Sequence, residues 1–219
     1  MLNSFVSSCR TFLSSLVNSK PSETSPAAAS SPPTTPVSVP YYVPTIDLPA
    51  PLPTTAEIES SDQILKDEAV KVVAVGTHFV VKYGKQLNLE EGRMMLFVQQ
   101  STRVPVPQVF ALYHEGGKNF IVMEKIHGQT LQATWHTFGD GDKKEIISHL
   151  RGYVEQIRNI QSPYGYYWSL GKRPLLHSMF ASPSDDYNGP FDSEAKLNDA
   201  MVRKCRASEV LNKKAEYYE

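Results

Sequence analysis

Cysteine is scarce in this chain. Cys9 and Cys205 are the only two in 219 residues, too far apart to suggest a disulfide framework or a metal-ligand spacing. Two reduced thiols fit a cytoplasmic protein. Long apolar runs are also missing: none approaches the roughly 18 residues that mark a membrane-spanning helix. Charge of one sign is missing too. Lys and Arg number 22 against 23 Asp and Glu, so the net charge of −1 gives no pull toward nucleic acid or an anionic membrane. No Gly-x-Gly-x-x-Gly loop occurs, which leaves phosphate cradling by a glycine-rich turn unsupported.

Proline is plentiful but confined. Ten of the 16 prolines precede residue 54. The stretch "KPSETSPAAASSPPTTPVSVPYYVPTIDLPAPLPTT" is rich in Pro, Ser and Thr and poor in periodic apolar residues. Such a segment cannot bury enough surface to offset its chain entropy, so residues 21–55 are expected to form a disordered, partly extended linker. Residues 1–20 differ. Leu2, Phe5, Val6, Phe12, Leu13, Leu16 and Val17 fall near helical spacing, with Arg10 and Lys20 as the only charges. This amphipathic segment makes a mitochondrial address the alternative to the cytoplasm.

Folded structure is expected from residue 56. "TAEIESSDQIL" holds a short helix. The apolar runs Val70–Val75 and His78–Val81 flank Gly76-Thr77, a link short enough for a hairpin. Asn88 and Glu91 form an N-x-x-E capping-box pattern for a helix running to about Ser101. "RVPVPQV" cannot continue that helix, because each proline removes a donor and biases its predecessor to extended geometry. A second hairpin, "VFALYHEGGKNFIVMEKI", turns at Gly116-Gly117. The expected fold class is α+β: an antiparallel sheet plus one helix over residues 56–127, then a helical part over 128–219. In that second part Ile146, Ile147, Leu150, Tyr153, Val154, Ile157 and Ile160 line one helical face, with Asp142 and Glu145 as another capping pattern. A further helix is expected over Ser193–Cys205.

Two charges sit oddly in this pattern. Lys82 shares a strand face with Val80, and Glu91 lies on the apolar stripe of Met94, Met95 and Val98. Burying either charge alone is costly, and pairing them lowers the cost. Spacing alone also allows a simpler arrangement, with Lys82 in solvent at a strand end and Glu91 only capping its helix.

The order of parts favours the pair. "HFVVKYG", "LEEGRMMLFV", "TRVPVPQVFALYHEGGKNFIVMEKIHGQTL" and "GPFDSEAKLNDAMV" together resemble protein-kinase-like small-molecule phosphotransferases: the aminoglycoside phosphotransferase and choline kinase relatives, and most closely their fungal branch. The resemblance runs from about Leu52 to the C-terminus. It implies a small lobe followed by the first helices of a large lobe, with ATP as cofactor and an alcohol group as phosphate acceptor. It also implies that Lys82 contacts phosphate and that Glu91 is its helix partner. Backbone groups of Glu124 and Ile126 would read the adenine edge, and Met123 would help wall the adenine pocket.

The same resemblance requires a His-Gly-Asp loop, a following Asn and a metal-binding Asp, which orient the acceptor hydroxyl and hold Mg²⁺. None of the six histidines has an aspartate two residues on. Capping accounts for Asp140 and Asp142, and Asp185-Asp186 reads as a solvated loop. No catalytic or metal-binding residue is therefore assigned, and Mg²⁺ is expected only for a complete family member. The expectation is the nucleotide-binding half of a phosphotransferase, inactive by itself. A truncated gene product explains this more simply than an evolved pseudokinase. The alternatives are a non-catalytic nucleotide- or protein-binding module, or an unstable fragment that self-associates through exposed apolar helix faces.

Overall fold

The computed structural model describes residues 37–160, 167, 169–175 and 185–207. The amphipathic segment 1–20 and the first part of the expected linker lie outside the described residues. The chain divides into two units between Ile160 and Gln161. All of the expected small lobe, residues 56–127, and the long helix after it fall within one unit, so the boundary lies well beyond the expected residue 127.

Alternating apolar residues build a six-stranded sheet in the first unit. Its strands are β1 (Tyr41–Tyr42), β2 (Ile64–Lys66), β3 (Lys71–Val75), β4 (Phe79–Gly84), β5 (Val109–Glu115) and β6 (Lys118–Glu124). The order is β1-β5-β6-β4-β3-β2, and every pairing is antiparallel. The four expected strands are all present. The β3–β4 turn is one residue longer than expected, because Val75 pairs with Phe79 across Gly76, Thr77 and His78. The β5–β6 turn is the expected Gly116-Gly117, and both glycines have positive φ, as a tight hairpin of this hand requires.

Two edge strands were not expected, and β1 corrects the linker reading. Residues 37–55 are packed rather than structureless. Tyr41 and Tyr42 pair with Leu112 and Ala111 of β5, and the Val43 N–H donates to the Phe110 carbonyl at 2.9 Å. A 3-10 turn follows at Thr45–Asp47. Val43, Leu48, Ala50 and Leu52 then pack on one face of the sheet. Within β1 the two tyrosines alternate: Tyr41 turns to the α2 side, with Val37 and Val39 of the preceding segment, and Tyr42 stacks on Tyr113 on the other side.

That face is completed by helix α1 (Thr55–Glu59), whose Ile58 is fully buried beside Val73, Val81, Phe120 and Val122. Rings from four neighbouring strands stack along it. Centroid separations are 6.0 Å for Tyr42–Tyr113, 4.8 Å for Tyr113–Phe120 and 5.5 Å for Tyr83–Phe120. The opposite face is covered by α2 (Glu90–Ser101), through Met95 and Leu96 against Val109, Leu112 and Ile121. Val37, Val39 and Tyr41 join this second cluster. The segment before α1 thus wraps the β5 edge and contributes to both faces.

The short α3 (Leu131–Thr134) precedes α4 (Asp140–Arg158). Helix α4 begins one half-turn before the expected Asp142. Asp142 accepts from the Gly139 N–H at 3.0 Å, so it is the third helical residue and Glu145 takes no part in the cap. Within α4, Ile147 and Val154 are 48% and 45% exposed.

In the second unit, Tyr167 and Phe191 exchange backbone hydrogen bonds of 2.8 and 3.0 Å. Asp185-Asp186, expected in a loop, opens the short α5 (Asp185–Asn188). Helix α6 (Glu194–Ala207) starts behind Ser193, whose Oγ accepts from the Lys196 N–H at 3.3 Å. Lys196 also pairs with Asp192 at 2.6 Å, and that ammonium holds the Asp192 carboxyl below its ordinary value. No helix among the described residues is long and apolar enough to cross a membrane.

Candidate functional site

The site is built on β4. Phe79, Val81 and Tyr83 point into the aromatic face, which sends Val80 and Lys82 to the face that carries α2. Lys82 lies between Val72 of β3 and Ile121 of β6, and Val80 lies opposite Met123. An ammonium on this face is surrounded by apolar neighbours and needs an anion.

Glu91 supplies it. The Lys82 Nζ donates to both Glu91 carboxylate oxygens, at 2.8 and 2.6 Å. The two side chains retain only 22% and 20% of their exposure. Local chemistry at the helix start explains why Glu91 is available. The Asn88 side chain accepts from the Glu90 N–H at 3.0 Å, and its carbonyl accepts from the Glu91 N–H at 3.2 Å. Asn88 therefore holds the start of α2 from one residue before its N-cap, Leu89, which makes no side-chain cap bond, and the expected capping box is corrected. The Glu91 carboxylate goes to Lys82 instead of reaching back to Asn88. A full charge on an otherwise apolar face is a stronger claimant than a backbone N–H at a helix end.

The approach of α2 to the sheet depends on Gly92. A Cβ there would run into the Leu112 Cδ2, and Leu112 is fully buried. One residue further on, Arg93 pairs with Glu90 through Nη1, and its Nε donates to the Val37 carbonyl at 2.9 Å. Arg93 and Glu90 side chains are 10% and 6% exposed. Neither was singled out from the sequence, although Glu90 and Arg93 stand at i,i+3 on one helix face.

The other candidate residues distribute as follows. Met123 shares the Lys82 face, half-buried against the α2 cluster. Glu124 ends β6, and its side chain points to the opposite face. Its N–H donates to the Gln108 carbonyl at 2.8 Å, and its Oε2 accepts from the Gln108 N–H at 3.1 Å. Ile126 is half-buried two residues beyond the strand. The segment between them is anchored to the β3–β4 turn: the Lys125 N–H donates to the His78 carbonyl at 2.8 Å and its Nζ to the Gly76 carbonyl at 3.0 Å. The His127 Nε2 lies 3.1 Å from the Thr77 carbonyl.

A pocket of about 390 Å³ opens on the face away from Lys82. Leu48, Phe110, Glu124, Lys125 and His127 contribute to its walls; Lys82, Glu91, Met123 and Ile126 do not. Among the described residues, no three His, Cys, Asp or Glu side chains gather in a way that could hold a metal ion. No protein-family model, curated protein or solved structure matches the chain.

Proposed function

We propose that the sheet and α2 form the nucleotide-holding lobe of a protein-kinase-like small-molecule phosphotransferase. In this reading Lys82 contacts phosphate oxygens and Glu91 aims it. Met123 walls the base, and backbone groups of Glu124 and Ile126 read the adenine edge. The observation that supports it is the two-oxygen Lys82–Glu91 pair, on the same face as Met123 and joining β4 to the first turn of α2. A buried-side ammonium held by one carboxylate keeps a donor for an anion.

Catalysis by this chain is not part of the reading. Transfer of the γ-phosphoryl group rests on positioning and charge stabilisation by an acceptor-orienting Asp and by Mg²⁺ ligands. No His-x-Asp occurs in the sequence to supply them. ATP is then expected to bind at about millimolar affinity, about −4 kcal/mol on the standard scale. Calorimetric titration of the full chain with ATP tests this. Saturable binding that Lys82→Met weakens at least about tenfold is expected. Equal affinity in both proteins would refute the reading.

A non-catalytic protein-binding role is the second reading. The half-exposed Ile147 and Val154 of α4 favour it.

A further inference from the structure

The segment 37–43 runs along the β5 edge and touches α2 at one polar point, the Val37 carbonyl. The donor there is Arg93 Nε, and the same guanidinium pairs with Glu90 through Nη1. Both side chains are nine-tenths buried or more. A guanidinium this deep is costly to leave without partners, so its geometry fixes whatever carries it. What carries it is the first turn and a half of α2, where Glu91 lies between Glu90 and Arg93.

Apolar packing reinforces that contact. Val37, Val39 and Tyr41 close over the cluster formed by Met95, Leu96, Leu112 and Ile121. Burial there pushes the Tyr41 phenol above its ordinary value. The segment is thus held by a two-residue ladder, an apolar row and one charged hydrogen bond. None of these lies within the Lys82–Glu91 pair itself.

We propose that Arg93 is a positioning residue: with the Val37 carbonyl it latches segment 37–43 onto α2, and so holds Glu91 on Lys82. Releasing the segment takes away the Nε acceptor and the apolar cover, leaves Arg93 only its Glu90 pair within α2, lets the first turn of α2 rotate, and separates Glu91 from Lys82. The latch needs no nucleotide; only its effect on ATP affinity rests on the reading proposed above.

The test is lysine-selective ¹⁵N spectroscopy of the full chain. The Lys82 ammonium signal is identified by its loss in Lys82→Met. In the parent protein it is expected to show slow hydrogen exchange, as a group held by two acceptors should. Arg93→Met is expected to speed that exchange about tenfold, together with the amides of residues 90–93. The paired change Val39→Ser with Tyr41→Ser leaves Arg93 in place and is expected to do the same. Val98→Ala removes buried α2 packing without touching the latch and should leave the Lys82 signal slow. A parent-like Lys82 signal in folded Arg93→Met overturns the proposal. If Arg93→Met does not fold, the Val39/Tyr41 protein decides: a parent-like signal there overturns the latch equally. If both latch variants loosen Lys82 while ATP affinity is unchanged, the latch stands and the nucleotide reading fails.

Discussion

The Lys82 ammonium and the Glu91 carboxylate meet through two hydrogen bonds, of 2.8 and 2.6 Å, across nine residues of sequence. About four-fifths of each side chain is covered. This is neither a solvated surface pair, worth under about 1 kcal/mol, nor a fully dry one. A double-mutant cycle with Lys82→Met and Glu91→Gln, followed by chemical denaturation, should give a coupling of about 1–2 kcal/mol. Each single change leaves one polar group without its partner, so the double variant should be more stable than the two separate losses add up to.

Gly92 allows α2 to lie close to β5. Gly92→Ala gains helix propensity of about 1 kcal/mol but drives a methyl group into the buried Leu112. Overpacking of this kind costs about 1–3 kcal/mol, so a net loss is expected. The combination Gly92→Ala with Leu112→Ala makes room for the methyl group. It should be more stable than the sum of the separate effects, by urea denaturation. Simple additivity would show that the two positions do not meet.

Helix α1 should respond to acid. The Thr54 N–H and hydroxyl donate to the Glu57 Oε2 at 2.7 and 2.8 Å, and the Glu57 N–H donates to the Thr54 Oγ1 at 3.3 Å. These bonds, the backbone one first, lower the Glu57 carboxyl below its ordinary value. A lowered folded-state value means the stabilisation is full above the unfolded carboxylate range. It is lost as pH falls through the folded value. Thr54 and Glu57 amide shifts, followed by NMR from neutral to acidic pH, should change together in that window. Glu57→Gln should remove the change.

Period reaches the sheet and sets Lys82 and Glu91 on apolar faces, but spacing alone leaves a solvated Lys82 open, and only the order of parts favours the pair. Val80 and Lys82 alternate with Phe79 and Val81, and Glu91 stands on an apolar stripe. The expectation for Glu124 and Ile126 comes from the resemblance and strand order rather than from their own side chains. Glu124 turned to the opposite face, as alternation from Met123 requires.

What composition hid was β1. Proline and serine counts average over residues 20–55 and obscure the alternation of Val37, Val39 and Tyr41. Pro40 lies in the bend just before β1 and takes no place in its ladder, so proline did not exclude a strand here. The capping box at Asn88 failed for a different reason. The motif is local, whereas Glu91 is claimed by a charge on another element. Nothing in the sequence marks Arg93, because an i,i+3 pair with Glu90 is ordinary on any helix surface; the segment at Val37, folded over it, is what buries it.

Whether nucleotide meets the Lys82 face is read by ¹⁵N–¹H chemical-shift mapping of the full chain during an ATP titration. Saturable shifts are expected at about millimolar ATP, centred on Val80, Lys82 and residues 123–126, and lost in Lys82→Met. Shifts confined to Leu48, Phe110 and His127, around the pocket on the opposite face, would contradict that reading. So would a titration without saturation, or one that Lys82→Met leaves unchanged.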